Sequence, residues 1–380
     1  MKLTVGIRAA YLVGAAIALL WAPFHSTIPT LSAYGPRSDW LFTPFAQWDA
    51  GWFARIARHG YDVKQSAAFF PLYPLLVRGL AEVVRSTLVA GVLLSLVAGG
   101  IGAALVGRIA QRVGGERFAA DSVLLLALYP IAFVLTAVYS DALFLALAAA
   151  SFLAAMDRRG LKAGIYGGLA VATRLMGIAL LPALVWLLWP RIRRGAVRLA
   201  PLLLLPAALA GYALYLHEHF GDAFAFAHAE SAFWLRHTPS SGPFGGLWDA
   251  LRSGKEGLAQ LLLHLPPPGR YGKPEQFAVW NVIQLLLLAV ACWLTWVAWR
   301  RLGPPFALYS AATIVLFLSS PAAVVPLVSE PRFLLADFPL FLAVASLARD
   351  RPRLRAGLAL SFAAVGAAAA VGFSRGVWIA

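Results

Sequence analysis

Long apolar runs separated by short arginine clusters restrict the possible folds of this chain more than any other feature. The runs fall near residues 5 to 24, 86 to 107, 118 to 138, 141 to 156, 163 to 189, 199 to 218, 276 to 299, 304 to 319, 333 to 348 and 354 to 373. Most approach the roughly 20 residues that a helix needs to cross a bilayer core of about 30 Å. In lipid every backbone amide must be paired internally, so such runs form helices. With 61% hydrophobic and 13% charged residues, roughly half the usual charged fraction, the chain reads as an all-α polytopic membrane protein. One integral-membrane domain is expected over residues 1-380, with no soluble catalytic domain attached. The first run, in MKLTVGIRAAYLVGAAIALLWAPF, lacks a small-x-small cleavage site and is read as a spanning helix rather than a signal peptide.

The formal charge of +15 is gathered between the apolar runs rather than on one soluble face, which speaks for topology and against nucleic acid. The positive-inside rule places Lys2, Arg8, Arg108/Arg112/Arg117, Arg158/Arg159/Lys162, Arg191/Arg193/Arg194/Arg198, Arg300/Arg301 and Arg349/Arg351/Arg353/Arg355 on the cytoplasmic side. Residues 163 to 189 must then leave the cytoplasm and return, although about 27 residues are too few for two full crossings. Two short helices meeting near Thr173, Arg174 and Gly177 are expected, with the arginine at membrane depth in the bend. Counting that pair gives about 11 helical segments, with the N-terminus cytoplasmic and the C-terminus outside. The outward stretches are then a first loop over 25-75, the turn Tyr139-Ser140-Asp141, the segment SEPRF at 329 to 333 and a second long loop over 220-275.

Ionisable groups in or beside spans are costly and are the first candidates for function, with structural ion pairing as the alternative. The outward set is Asp49, Arg58, Asp141, Arg174, Glu330 and Arg332. In QWDAGWFARIARHGYD a helix would carry Trp52, Phe53 and Ile56 on one stripe with Asp49 projecting into it, and Arg55 and Arg58 opposite. Asp49 is either the cap of that amphipathic helix or a general base against the apolar walls of Trp48, Trp52 and Phe53. Arg174 cannot shed its proton, so it either pairs with Asp141 or Asp49 or clamps a phosphate. For Arg332, an ion pair with the neighbouring Glu330 or snorkelling competes with ligand binding. AAFFPLYPLLVRG, with prolines at 71 and 74, is either a rigid corner or the wall of a lipid groove. The HEH at His217 to His219 reads as interfacial hydrogen bonding rather than a metal site. The lone Cys292, within an apolar run, offers no disulfide or cysteine metal site. No P-loop, GxGxxG, HExxH or GxSxG is present.

WDAGWFARIARHGYD followed by AAFFPLYPLL, then TAVYSDALF, ATRLMGIALLP, HFGDAFAF and SEPRFLLADFPLF, resembles in order and spacing the PIG-V/Gpi18 mannosyltransferases and their prokaryotic relatives. The resemblance spans about residues 45 to 340. It implies a GT-C glycosyltransferase bundle that takes a sugar from a polyprenyl-phosphate donor on the non-cytoplasmic face. It also implies a catalytic base in the first outward loop, at the position of Asp49. Arg58, Arg174 and Arg332 become the candidates for the donor phosphate, and Trp48, Trp52, Tyr61, Gln65, Phe70, Tyr73, Asp141, Trp234 and Glu330 the candidates for the acceptor or cavity. Where eukaryotic members tend to carry glutamate, this sequence has Gln65 and Asp141. The Ala/Arg-rich composition points to a bacterial plasma membrane. Expected partners are a polyprenyl-phosphate sugar donor, a glycolipid or glycan acceptor and membrane lipids. No cofactor is implied, and divalent metal dependence stays open. A lipid or sugar transporter with a broken helix is the principal alternative, and a non-catalytic scaffold the third.

Overall fold

A computed structural model describes residues 43–189, 196–263 and 274–379. The first apolar run, Lys2, Arg8, the start of the first outward loop, and Arg191, Arg193 and Arg194 lie outside the described residues. The described residues form fifteen α-helices and no strand. They are α1 (Asp49–His59), α2 (Leu72–Val84), α3 (Thr87–Gly114), α4 (Glu116–Leu128), α5 (Asp141–Met156), α6 (Gly160–Thr173), α7 (Leu181–Leu188) and α8 (Leu204–Phe220). The remainder are α9 (Ala225–Trp234), α10 (Pro243–Leu263), α11 (Pro274–Arg301), α12 (Pro304–Leu318), α13 (Glu330–Ala336), α14 (Phe338–Ala348) and α15 (Pro352–Ser374). Four single helices, Thr87–Gly114, Leu199–Phe220, Phe277–Arg301 and Pro352–Ser374, are long and apolar enough to cross a membrane. The pair α13 and α14, bent by 75°, makes a fifth.

The 163 to 189 run breaks where the two basic clusters required it. Helix α6 ends at Thr173, Arg174 is extended (φ −158, ψ 142), and a 3-10 turn over Leu175–Leu180 leads into α7. The returning backbone passes so close to α6 that a Cβ on Gly177 would lie 2.5 Å from the Val171 amide nitrogen and 2.7 Å from the Ala170 carbonyl carbon. Both are backbone atoms and cannot rotate away. Gly177→Ala is therefore expected to cost about 1–3 kcal/mol, read as a lowered midpoint in thermal unfolding of detergent-solubilised protein. An unchanged midpoint would contradict the close approach.

Two runs differ from expectation. The segment 118 to 138 is not one helix: α4 stops at Leu128, because Tyr129 precedes Pro130 and takes φ −49, ψ 136, and only a 3-10 turn over Ala132–Leu135 follows. The segment 333 to 348 starts earlier, at Glu330, and is interrupted at Asp337, where Pro339 sits in the first turn of α14. Asp337 is fully buried there and accepts a hydrogen bond from Ser310 Oγ at 2.6 Å.

Among the described residues, basic clusters meet at one end of the bundle. Arg112 pairs with Asp157, Arg349 donates to the Gly114 carbonyl, Arg301 to the Ser346 carbonyl at 2.8 Å, and Arg355 pairs with Asp121 at 3.1 Å. Asp157 follows the last turn of α5 and Asp141 opens the first, so Asp141 stands at the other end of the bundle, about 24 Å away at 1.5 Å per residue.

Candidate active site

Helix α1 positions the first functional side chain. Trp48 takes the left-handed φ of 55 and turns the chain into the helix, and Phe53 and Ile56 anchor the apolar stripe in the core. Phe53 packs edge-on against Phe69 at 5.1 Å and Tyr73 at 4.9 Å. On the solvent face Arg55 donates to Asp62 at 2.9 Å and holds that carboxyl below the usual carboxylate range. Asp49 thereby projects inward. It does not cap α1: the start of the helix has no side-chain cap bond, and Asp49 Oδ2 instead accepts from Arg332 Nη1 at 2.6 Å. The capping alternative is corrected accordingly.

Arg332 links two carboxylates. Its Nη2 donates to Asp141 Oδ2 at 3.0 Å, and its guanidinium lies over the Tyr139 ring, 4.5 Å from the centroid. The other oxygen of Asp141 accepts from Arg174 Nη1. A chain of alternating charge, Asp49–Arg332–Asp141–Arg174, thus joins the starts of α1, α5 and α13 to the break after α6. A guanidinium stays charged when buried, and its desolvation costs several kcal/mol unless a carboxylate is placed against it. Asp141, 0% exposed, serves two of them.

The chain of charges borders a cavity of about 760 Å³, within the usual range for small-molecule sites. Asp49, Trp48, Phe70, Arg174, Trp234 and Arg332 line it. Asp141 lies behind the wall. Other expected site residues are elsewhere. Arg58 Nε donates to Thr87 Oγ1 at 3.0 Å, away from the cavity. Trp52 packs behind the wall, with Phe69 at 5.9 Å and Trp234 at 6.1 Å. Tyr61 donates to the Phe69 carbonyl at 2.7 Å, and its own carbonyl meets His219 Nε2 at 2.6 Å, which assigns the HEH stretch to hydrogen bonding. Tyr73 is buried in the bundle against the Gly91 carbonyl and Ser95. Gln65 is half-buried on the 3-10 turn Lys64–Ala68 and does not border the cavity. Glu330 is 0% exposed, with neither oxygen hydrogen-bonded among the described residues, so the expected pairing with Arg332 is absent.

The cavity also carries a charged pair that the sequence reading missed. Glu230 on α9 and Arg236 just beyond it both line the wall, with Arg236 Nε 3.1 Å from Glu230 Oε2. Desolvation pushes the Glu230 carboxyl above its ordinary value, while Arg236 acts in the opposite direction. Arg236 follows WL in an aromatic stretch, a cue that could have marked it. Its depth depends on the 320–328 loop folded over it. No group of His, Cys, Asp and Glu able to hold a metal occurs among the described residues.

Residues 36–186 match the model of the Mannosyltransferase (PIG-V) family, which bears out the resemblance over the stretch that carries the motifs from WDAGWFARIARHGYD to ATRLMGIALLP. No curated protein matches the chain. Among solved structures, ArnT from Cupriavidus metallidurans bound to undecaprenyl phosphate aligns with a TM-score of 0.52 at 18% identity, over 98% of this chain and 64% of that one. Apo ArnT gives a TM-score of 0.49 at 18% identity, with coverage of 98% and 64%. The oligosaccharyltransferase of Archaeoglobus fulgidus in complex with zinc and sulfate gives 0.44 at 15% identity, with coverage of 97% and 53%. The chain therefore spans a little less than two thirds of the length of ArnT, and the likeness to the undecaprenyl-phosphate complex is one of fold, the GT-C membrane bundle.

Proposed function

We propose that this chain, an integral-membrane bundle of the GT-C fold with a PIG-V match, is an inverting glycosyltransferase. It transfers a mannosyl or related hexosyl residue from a polyprenyl-phosphate donor to a lipid-linked or glycan acceptor. One observation carries the reading: Asp49 reaches the cavity with only Oδ2 engaged among the described residues, beside two cavity-lining guanidiniums. The acceptor hydroxyl attacks the anomeric carbon and loses its proton to Asp49, while the bond from that carbon to the phosphate oxygen breaks. The departing phosphate is already a stable anion, so one carboxylate suffices for proton transfer. Arg174 and Arg332 face the charge that develops on it. Support for a polyprenyl-phosphate donor comes from the undecaprenyl phosphate bound by ArnT, which shares the fold.

The proposed reaction runs on the non-cytoplasmic face of a bacterial plasma membrane; the position of the cavity, at the end of the bundle away from the described basic clusters, supports the side, and the Ala/Arg-rich composition supports the bacterial membrane. Cysteine labelling checks this. The exposed native Cys292 is first replaced by alanine. An impermeant thiol reagent applied to intact cells should then label Ser240→Cys and spare Arg159→Cys, both exposed positions. The reverse pattern would invert the topology. The activity itself is tested by incubating purified protein with radiolabelled polyprenyl-phosphate-mannose and membrane lipid extract. A labelled product supports the transferase; unconsumed donor contradicts it.

A further inference from the structure

We propose that Glu230, Arg236 and Trp234 form a subsite that reads the hydroxyls of a hexose ring, separate from the anion-binding pole at Arg174 and Arg332. The inference rests on the transferase reading and deepens it. The three residues come from the end of α9 and the turn after it, and all three border the cavity. Arg236 is held rigidly: Nη1 donates to the Ser320 carbonyl at 2.7 Å and Nη2 to the Val328 carbonyl at 2.9 Å, while Nε faces Glu230 Oε2 at 3.1 Å. Leu235 takes the left-handed φ of 55, and its carbonyl accepts from the Ala323 amide at 3.0 Å, which locks the turn onto the opposing loop. Glu230 Oε1 has no partner among the described residues, and the Glu230 side chain is 37% exposed.

Charge decides what such a pair accepts. At the other pole the cavity meets Arg174, Arg332 and Asp49, while the second counter-charge, Asp141, is hidden behind the wall. That pole is balanced overall, two guanidiniums against two carboxylates, but it brings both guanidiniums and only one carboxylate to the cavity wall, which suits a phosphate. Glu230 and Arg236 balance each other on the wall itself, and a phosphate placed there would face the carboxylate. A neutral polyol supplies what the pair needs: hydroxyl hydrogens for Oε1 and hydroxyl oxygens for the guanidinium. Trp234, supported by Phe69 at 5.5 Å, offers a ring face to the polarised C–H groups of a pyranose.

The test uses protein in lipid nanodiscs titrated with octyl α-mannoside below its critical micelle concentration, followed by tryptophan fluorescence. Undecaprenyl phosphate is titrated separately and followed by native mass spectrometry. Glu230→Gln and Arg236→Gln are expected to weaken glycoside binding about tenfold, the loss of one charge-assisted hydrogen bond, and to leave polyprenyl phosphate binding within about twofold. Glu230→Asp, which keeps the charge and shortens the reach, should weaken the glycoside in the same direction and guards against misfolding of the neutral variants. Unchanged glycoside binding in all three variants, equal loss of both probes, or no glycoside binding by the wild type would overturn the subsite. In the transfer assay, a raised KM for donor assigns the ring to the donor sugar, and a raised KM for acceptor assigns it to the acceptor glycan. Glycoside binding lost in the variants, with no sugar transfer by wild type, would uphold the subsite and sink the transferase.

Discussion

Asp49→Asn protein is expected to fold, to bind donor, and to turn over two to four orders of magnitude more slowly than wild type, about the range for a lost general base. The substitution is nearly isosteric. The Asn carbonyl can still accept from Arg332 Nη1, and Arg332 keeps its second partner, Asp141. The Asp49 side chain is 24% exposed toward the cavity, so the unbalanced charge is partly solvated and the stability change should stay within about 1–2 kcal/mol. What the amide cannot do is take the acceptor proton. Initial rates and unfolding midpoints measured on the same preparation separate the two effects. Normal turnover would move the base to Glu230, the other carboxylate on the cavity wall. Asp141 and Glu330, both 0% exposed, are screened from the cavity by the wall they sit behind.

Asp141→Ala should damage the fold where Asp49→Asn does not. Removing this carboxylate leaves Arg174 with no carboxylate partner among the described residues and Arg332 with Asp49 alone. Breaking a buried pair by deleting one member costs about 3–5 kcal/mol, a large share of the roughly 5–15 kcal/mol that stabilises a typical domain. Low yield and a strongly reduced midpoint in detergent are expected. Asp141→Ala/Arg174→Met removes one of the stranded cations and should recover part of the loss, and the double-mutant cycle measures the coupling. A single Asp141→Ala variant as stable as wild type would show that the alternating chain of charges is not structural.

The features legible in the sequence are those set by local pattern. The break at Arg174 could be placed because basic clusters enclose an apolar run too short to cross twice, and α1 because its stripe has helical spacing. The charges of Asp49, Asp141, Arg174 and Arg332 were also visible as costly residues beside spans. Their partners were not. Asp49 and Arg332 are 283 positions apart, and no periodicity links the start of α1 to the start of α13, so local sequence offers Arg332 only the adjacent Glu330 as an ion-pair partner. The break at Asp337 was missed because its surroundings are apolar on both sides and the one hydrogen bond to its carboxylate, at a single oxygen, comes from Ser310 on a distant helix. Arg236 was passed over because a loop position acquires depth only when another loop closes on it.

Glycosyl transfer by this chain should require the Asp49 carboxylate. The most direct measurement is polyprenyl phosphate released per protein, by mass spectrometry, from polyprenyl-phosphate-mannose with membrane lipid extract, comparing wild type and Asp49→Asn at equal folded concentration. Release by wild type with equimolar appearance of a mannosylated product, and a fall of about two to four orders of magnitude in the variant, is the predicted result. No release by wild type, or equal release by both proteins, would contradict it.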